Sequence, residues 1–433
     1  MGESLTESRT ETTLPVPCGQ RGTEPGQKAG APERRGPIGT QRDGGAASAE
    51  GHEAVMLLER ARTEVDPVLR AALGSLPGPM RRIALYHFGW EQSDGSPAEG
   101  GSGKAIRPAL VLTAAAALGG PEARAGAARA AAAVELVHNF TLLHDDVMDR
   151  DATRRHRPTA WTVFGDADAI LAGDTLQALA LRLLAQDLHP ASPAAAARLA
   201  DCVIELCAGQ HADTTLERCA PAEVTLDGVL AMAEAKTGAL LGSACAIGGL
   251  YAGASDEEVA ALDAFGREAG LAFQLIDDVI GIWGDPSRTG KTVGADLAAR
   301  KKSLPVAAAF ASGAPAADEL AGLYARPGEK GDLDHIALTV ERAGGREWAQ
   351  GQAADRMARA MQQLARAVPD PEAAGGLLAL AEFVTRRTSR RPAAPAGRRQ
   401  STTGHGGPLI GGICDDLRVT EGQDPGARGP CGS

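Results

Sequence analysis

The chain of 433 residues is poor in aromatic side chains, at 3%, and short of positive charge, with a formal net charge of −11. A surface negative on balance repels a phosphate backbone, so bulk electrostatics excludes nucleic acid as a partner. The seven cysteines form no CxxC pair and no zinc-ligand spacing. Neither a disulfide framework nor a structural zinc is written in them, and a reduced, cytoplasmic protein is expected. No charged-then-apolar segment opens the chain as a secretory signal would. Alternating β-branched runs are lacking too. One stretch, Thr237–Ala254 (TGALLGSACAIGGLYAGA), runs eighteen residues without a charge. That reaches the lower limit of a membrane span. It is built of Gly, Ala and Ser more than Leu or Phe, and Lys236 and Asp256 flank it. It reads as a buried helix of a large helical protein, with no membrane span.

What the chain does have is Ala, Gly and a hydrophobic fraction of 44%, enough for a large core of closely packed helices. Residues 1–52 are rich in Gly, Pro, Thr, Glu and Arg without a hydrophobic period, and read as a disordered N-terminal extension. From Glu53 apolar residues recur at spacings of three and four, in segments such as EAVMLLERARTEVDPVLRAAL and VAALDAFGREAGLAFQLIDDVIGIW, with Gly or Pro between them. The pattern predicts an all-α catalytic domain over 53–389. Pro, Gly and Arg return over 390–433, a second disordered tail, and Arg386, Arg387, Arg390 and Arg391 read as a solvated basic helix end.

The chemistry concentrates in LLHDDVMDRDATRRHRPTAW (Leu142–Trp161). Asp145 and Asp149 are one helical turn apart, about 5–6 Å between their Cβ atoms, and Asp146 flanks them. Carboxylates so close repel one another unless a cation lies between. Mg²⁺ suits the place, because it takes oxygen ligands and is held by one or two carboxylates together with substrate phosphates. The plain alternative is a solvated acidic face paired with the arginines downstream. A second apolar helix, FQLIDDVIGIW, also ends in Asp-Asp, at Asp277 and Asp278. Two such helix ends facing one another would clamp metal ions around one polyphosphate. Lys104, Arg107, Arg154, Arg155, Lys236, Lys291 and Lys301 are then available for diphosphate oxygens. The segment GDPSRTGKT imitates a phosphate loop, but five residues separate Gly284 from Gly290 where four are required, and it follows a helix.

In this order the motifs resemble those of the polyprenyl synthetase family, short-chain trans-prenyl diphosphate synthases of the farnesyl/geranylgeranyl type, over about residues 53–390. GKAIRP resembles the family's GKRxRP and carries Lys104 and Arg107, with Ala105 where an Arg is common. His138 in ELVHN falls at an isopentenyl diphosphate contact. DDVMD, with Arg154 and Arg155 behind it, is the first aspartate-rich motif. Asp174, Gln210, Lys236–Thr237, Phe273, Gln274, Asp277, Asp278, Lys291, Asp296 and Lys301 follow in register. The second motif departs from DDxxD at its fifth position, which is Gly281. The family's first Asp of that motif touches metal directly, so Asp277 is expected to carry most of that work, with position 281 solvated and tolerant of an Asp.

The resemblance implies an isoprenoid synthase-type bundle around a central cavity, a homodimer, and Mg²⁺, about three ions per site once substrate is bound. It implies condensation of isopentenyl diphosphate with an allylic diphosphate to a C15–C20 product, with C10 open. Asp145, Asp146, Asp149, Asp277 and Asp278 would serve the metals, and Lys236 the catalysis. Lys104, Arg107, His138, Arg154, Arg155, Lys236, Thr237, Gln274, Lys291 and Lys301 would bind substrate. Phe140 and Thr141, one turn before the first Asp, would set chain length. The competing readings are a class I terpene cyclase, which lacks support because no NSE-type triad is present, and a non-catalytic subunit modulating a partner synthase. The N-terminal extension reads either as an inert tail or as a loading peptide for a protein shell of the encapsulin type.

Overall fold

Two long helices that each end in an Asp-Asp pair organise the molecule. They are α4 (Ala128–Met148) and α10 (Asp256–Trp283) in the chain order given below. The computed structural model describes residues 46–98, 103–284, 294–325 and 333–385, without the side chains of 46–50 and 295. The expectations for the two tails, for Lys291 and for the phosphate-loop imitation between Gly284 and Thr292 lie outside the described residues wholly or in large part.

The remaining helices are α1 (Ala46–Gly74), α2 (Gly78–His87), α3 (Ile106–Gly126), α5 (Ala160–Phe164), α6 (Asp166–Ala185), α7 (Ser192–Arg218), α8 (Leu226–Ala233) and α9 (Ala239–Tyr251). After α10 come α11 (Ala295–Ala298), α12 (Leu304–Ala311), α13 (Pro315–Tyr324), α14 (Leu333–Arg342), α15 (Gly345–Ala367) and α16 (Pro371–Thr385). Helix thus begins at Ala46, upstream of the position 53 at which the apolar pattern starts. The expected all-α architecture is what the chain adopts. Among the described residues the strands are confined to a hairpin, β1 (Thr153–Arg154) and β2 (Arg157–Pro158), and one isolated bridge, Glu91 to Pro97.

The element boundaries have local causes. Ser255 and Glu258 form a capping box at the head of α10, with Ser255 N donating to Glu258 Oε2 at 2.8 Å and Glu258 N to Ser255 Oγ at 3.3 Å. Thr225 caps α8 by accepting from Gly228 N at 3.2 Å. Small residues then let helices touch at their backbones. A side chain on Gly248 of α9 would meet the Val111 carbonyl of α3, and one on Gly266 of α10 would meet the Leu241 carbonyl of α9.

α4 is the central strut, packed on α1, α3, α6 and α9, while α10 lies between α9 and α15. Ala130 to Val134, Leu136 and Val137 are all at 0–1% exposure, so the upper part of α4 is enclosed on every side. The uncharged stretch Thr237–Ala254 becomes the buried α9 and the turn before it, and none of the described helices is long and apolar enough to cross a membrane. At the C-terminal ends of α4 and α10 the carboxylates divide, with Asp146 and Asp278 buried, Asp145 and Asp277 half-buried and Asp149 exposed.

Candidate active site

The first aspartate motif divides into two kinds of carboxylate. Asp145 and Asp149 share one face at the end of α4, and Asp149 is its last cap residue. Asp146 points the other way, 1% exposed, and accepts from Arg154 Nε at 2.7 Å through Oδ1. Burial lifts its carboxyl to about 6 against the pull of Arg154. Asp146 is therefore spent on the hairpin rather than presented beside Asp145.

The second motif divides in the same way. Asp278 is 5% exposed. Its Oδ1 accepts from Gln274 Nε2 at 2.7 Å and its Oδ2 from Leu304 N at 2.9 Å. Burial raises it to about 6, opposed by Lys301 and by these two donors. Gln274 in turn accepts from Thr237 Oγ1 at 2.8 Å. So Thr237, Gln274 and Asp278 form a relay that pins α10 to the head of α12. Asp277 is only half-buried. Position 281, expected to be solvated, is buried instead, because Asp296 packs against its bare turn.

Lysines stand between these acids. α8, the turn Glu234–Gly238 and α9 form one continuous helical rod with a π-type turn at its middle. Such turns mark functional sites, since they reset the side-chain register. Here the turn delivers Lys236, whose Nζ lies 2.7 Å from Asp213 Oδ2 and 3.5 Å from Asp145 Oδ1. Burial opposes the Lys236 charge, but Asp145 and Asp213 overcome it and the pKa rises. Lys301 behaves alike: burial works against its charge, and Asp213, Asp278, Asp296 and Asp149 together raise it well above the ordinary lysine value. The first motif, α7, the π turn and the end of α10 thus meet in one ring of acids held open by two ammonium groups. Gly209 of α7 lets the π turn come close, since a side chain there would stand 2.7 Å from Lys236 N.

A separate basic corner lies behind α4. Arg155 and His156 have φ of 52° and 61°, the positive values that a two-residue hairpin turn of type I′ requires. The turn points Arg155 back at Gly103, where a side chain would lie 2.6 Å from the guanidinium. Gly103 has φ 98° and its carbonyl accepts from Arg62. Arg107 is half-buried, with Nε unpartnered, and Glu135 offsets part of the cost of burying its charge. Burial and the neighbouring Arg107, Arg155 and Arg154 hold His138 well below the usual imidazole value, so it is neutral at pH 7. Lys104 is exposed and its Nζ lies 5.6 Å over the Phe383 ring. Of the predicted set, Arg107, His138 and Arg155 lie close enough to act on one another's charge, while Lys104 extends over the Phe383 ring. A small pocket of about 120 Å³ beside it is lined by Tyr86, His87, Asp146, Arg154, Arg155 and Arg157.

Phe140 is buried at 5% exposure, and its ring meets His144 edge-on at 4.9 Å. His144 Nε2 shares a hydrogen bond with the Ile170 carbonyl at 2.9 Å and lies 3.7 Å from Asp174. Thr141 Oγ1 is turned back onto the His138 carbonyl at 2.8 Å. Gln210 Nε2 approaches Met148 Sδ at 3.7 Å. Sequence reasoning missed Asp213, which holds Lys236, and Glu135, which faces Arg107. The only signal for Asp213 is its place one turn beyond Gln210.

Among the described residues no three carboxylate, imidazole or thiolate groups converge tightly enough to hold a metal unaided. The donors on offer, Asp145, Asp149 and Asp277, are all oxygen, the ligand type that Mg²⁺ takes together with water and phosphate.

Fold and site together define an all-helical enzyme with two aspartate-bearing helix ends and a basic corner. A family model described as polyprenyl synthetase matches residues 98–339. The chain is 50% identical over 334 residues to a geranylgeranyl diphosphate synthase of Mycobacterium tuberculosis, covering 76% of this chain and 93% of that one. It is 43% identical over 329 residues to a (2E,6E)-farnesyl diphosphate synthase of Mycobacterium bovis, covering 75% and 90%. The crystal structure of a polyprenyl synthetase from Streptomyces coelicolor A3(2) superposes with a TM-score of 0.73 at 42% identity, over 76% of this chain and 99% of that one. The chain belongs to the polyprenyl synthetase family and is an enzyme that transfers prenyl groups.

Proposed function

We propose that the enzyme condenses isopentenyl diphosphate with an allylic diphosphate, with Mg²⁺, to give a trans-prenyl diphosphate of C15 to C20. One observation carries the reading: two charged places of different chemistry flank α4. The acid ring with Lys236 and Lys301 suits a metal-bound leaving diphosphate. The corner of Lys104, Arg107, His138 and Arg155 suits a diphosphate that stays attached. A cyclase handles one diphosphate and has no use for the second place.

Asp145, Asp149 and Asp277 would hold Mg²⁺, which when bound neutralises negative charge developing on the leaving diphosphate. Lys236 and Lys301, kept charged by the acids around them, add fixed positive charge at the same place. Arg154 keeps its guanidinium oriented by Asp146. In the other corner Arg107 and Arg155 bind diphosphate oxygens, and neutral His138 donates a hydrogen bond without adding charge. That corner fixes the isopentenyl double bond against the allylic carbon. The proton lost afterwards needs no Ser, Cys or His base and passes to the departing diphosphate.

The test is turnover by the purified full chain with isopentenyl diphosphate and each allylic primer. Asp145→Ala and Asp277→Ala should each reduce turnover by at least about a thousandfold, and EDTA should abolish it. Persistent turnover in EDTA would sink the metal reading.

A further inference from the structure

Lys236 reaches the acid ring from the π turn Glu234–Gly238, in the middle of the rod that α8 and α9 form. A π turn holds one residue more than an α turn, so its loss would rotate the rod on one side of it by about 100° relative to the other. Lys236 would then leave Asp145 and Asp213. Two glycines secure the turn against its neighbours. A side chain on Gly209 of α7 would stand 2.7 Å from Lys236 N, and one on Gly270 of α10 would stand 2.9 Å from Gly238 Cα. Both helices therefore meet the turn backbone to backbone.

Arg267 of α10 ties the same three elements together through side chains. Its Nη1 and Nη2 donate to Glu205 Oε1 and Oε2 on α7 at 2.6 and 2.8 Å, and its Nε donates to Asp263 Oδ2 at 2.8 Å. Nη1 also lies 3.9 Å from Oε1 of Glu234, the first residue of the π turn. The stem of Arg267 runs close by, since a side chain on Gly242 would stand 2.8 Å from its Cγ. Asp263 accepts from a second arginine, Arg198 of α7, at 3.0 Å. A bidentate fork with a shared acid is the arrangement in which a half-buried ion pair fixes geometry.

We propose that Arg267 is a positioning residue for prenyl transfer: with Glu205 and Asp263 it clamps the π turn between α7 and α10 and so aims Lys236 at the leaving diphosphate. This deepens the reading above and rests on the role given there to Lys236. Lysine cannot replace Arg267, because only the planar fork gives Glu205 two bonds while Nε is left for Asp263.

The test is a double-variant cycle on the full-length enzyme, read as kcat and as KM for isopentenyl diphosphate. Lys236→Met should lower kcat by about a hundredfold, as losing one fixed group at a developing charge does. Arg267→Gln should lower kcat by about tenfold or more through misplacement of Lys236. It should leave KM for isopentenyl diphosphate within about twofold of wild type, since the basic corner is untouched. Arg267→Lys should behave like Arg267→Gln. In the Lys236→Met background Arg267→Gln should lower kcat by less than about a further twofold, because the group it aims is already gone. A brace that merely supports the fold would lower kcat by the same factor in both backgrounds. Equal factors, or an unchanged kcat in Arg267→Gln, overturn the proposal. If Arg267→Gln fails to fold by circular dichroism, Glu205→Ala removes the partner of the fork instead and is read in the same cycle with the same outcomes. Should Lys236→Met turn over at the wild-type kcat, the role given to Lys236 falls and takes the proposal with it. If Lys236→Met is impaired and the two losses simply multiply, only the proposal falls.

Discussion

Glu135 is a single acid buried at 4% exposure beneath the basic corner. Its carboxyl is lifted to about 7 by desolvation, which outweighs the attraction of Arg107 and the hydrogen bond from Asn139. The consequence for stability has a definite sign. Its folded pKa lies above the ordinary 4.5, so its favourable contribution is complete below that value and is lost as pH rises through about 7. Glu135→Gln cannot ionise. Relative to wild type it should gain stability between pH 4.5 and 8, by on the order of 1–3 kcal/mol. Urea denaturation at pH 5 and pH 8 checks this, and a gap that does not change with pH would mean the buried carboxylate ionises at no cost. Glu135 also shows what a sequence hides at this scale. Asp145, Asp149 and Asp277 were legible because turn spacing and an apolar helix before them leave few alternatives. Glu135 and Asp213 are lone acids inside helices, and only the tertiary approach of Arg107 and Lys236 gives them a role. That Asp146 and Asp278 turn inward was equally invisible, since adjacent aspartates look alike until their neighbours are placed.

At the scale of elements, the short hairpin does more than its length suggests. It carries Arg154 toward Asp146 on one side and Arg155 toward Gly103 on the other. Gly103→Ala would strain a backbone at φ 98° and displace the guanidinium. Because the damage falls on the basic corner, KM for isopentenyl diphosphate should rise by about tenfold while KM for the allylic primer changes little. An equal rise in both would place Arg155 elsewhere. The helices themselves were readable from apolar spacing, including the buried α9. The hairpin was not, because its two-residue strands are too short to show alternation and its turn is Arg155–His156 in place of the usual Asn-Gly. α4 carries the other element-scale prediction. Phe140 lies one turn before Asp145 and is braced by His144. Phe140→Ala should leave the enzyme active and lengthen its products beyond C20, read by chromatography of the dephosphorylated prenols. The cavity costs about 3–5 kcal/mol, so the assay belongs at low temperature. An active variant with unchanged products would remove Phe140 from the floor.

At the scale of the whole molecule, four of the nine large apolar side chains exposed among the described residues fall on α6, α7 and the connection between them. Ile170 and Leu171 on α6 are 41% and 53% exposed, Leu188 in the connection to α7 is 99% exposed, and Ile204 on α7 is 69% exposed. α6 and α7 pack against one another, so these residues sit on neighbouring elements, as expected of a surface that a second copy covers. We expect a homodimer through α6 and α7, with a mass by light scattering twice the 44.3 kDa of the chain. Ile204→Glu should yield a folded monomer. The effect should reach the product as well. The Ile170 carbonyl holds His144, and His144 braces Phe140, so the backbone of α6 supports the α4 residues expected to form the hydrocarbon floor. Once α6 loses its partner, His144 and Phe140 lose rigidity. The Ile204→Glu monomer should then make a broader spread of chain lengths at reduced turnover. A wild-type monomer would refute the assembly, and a monomeric variant with the wild-type product spread would show that the floor is fixed within α4 alone.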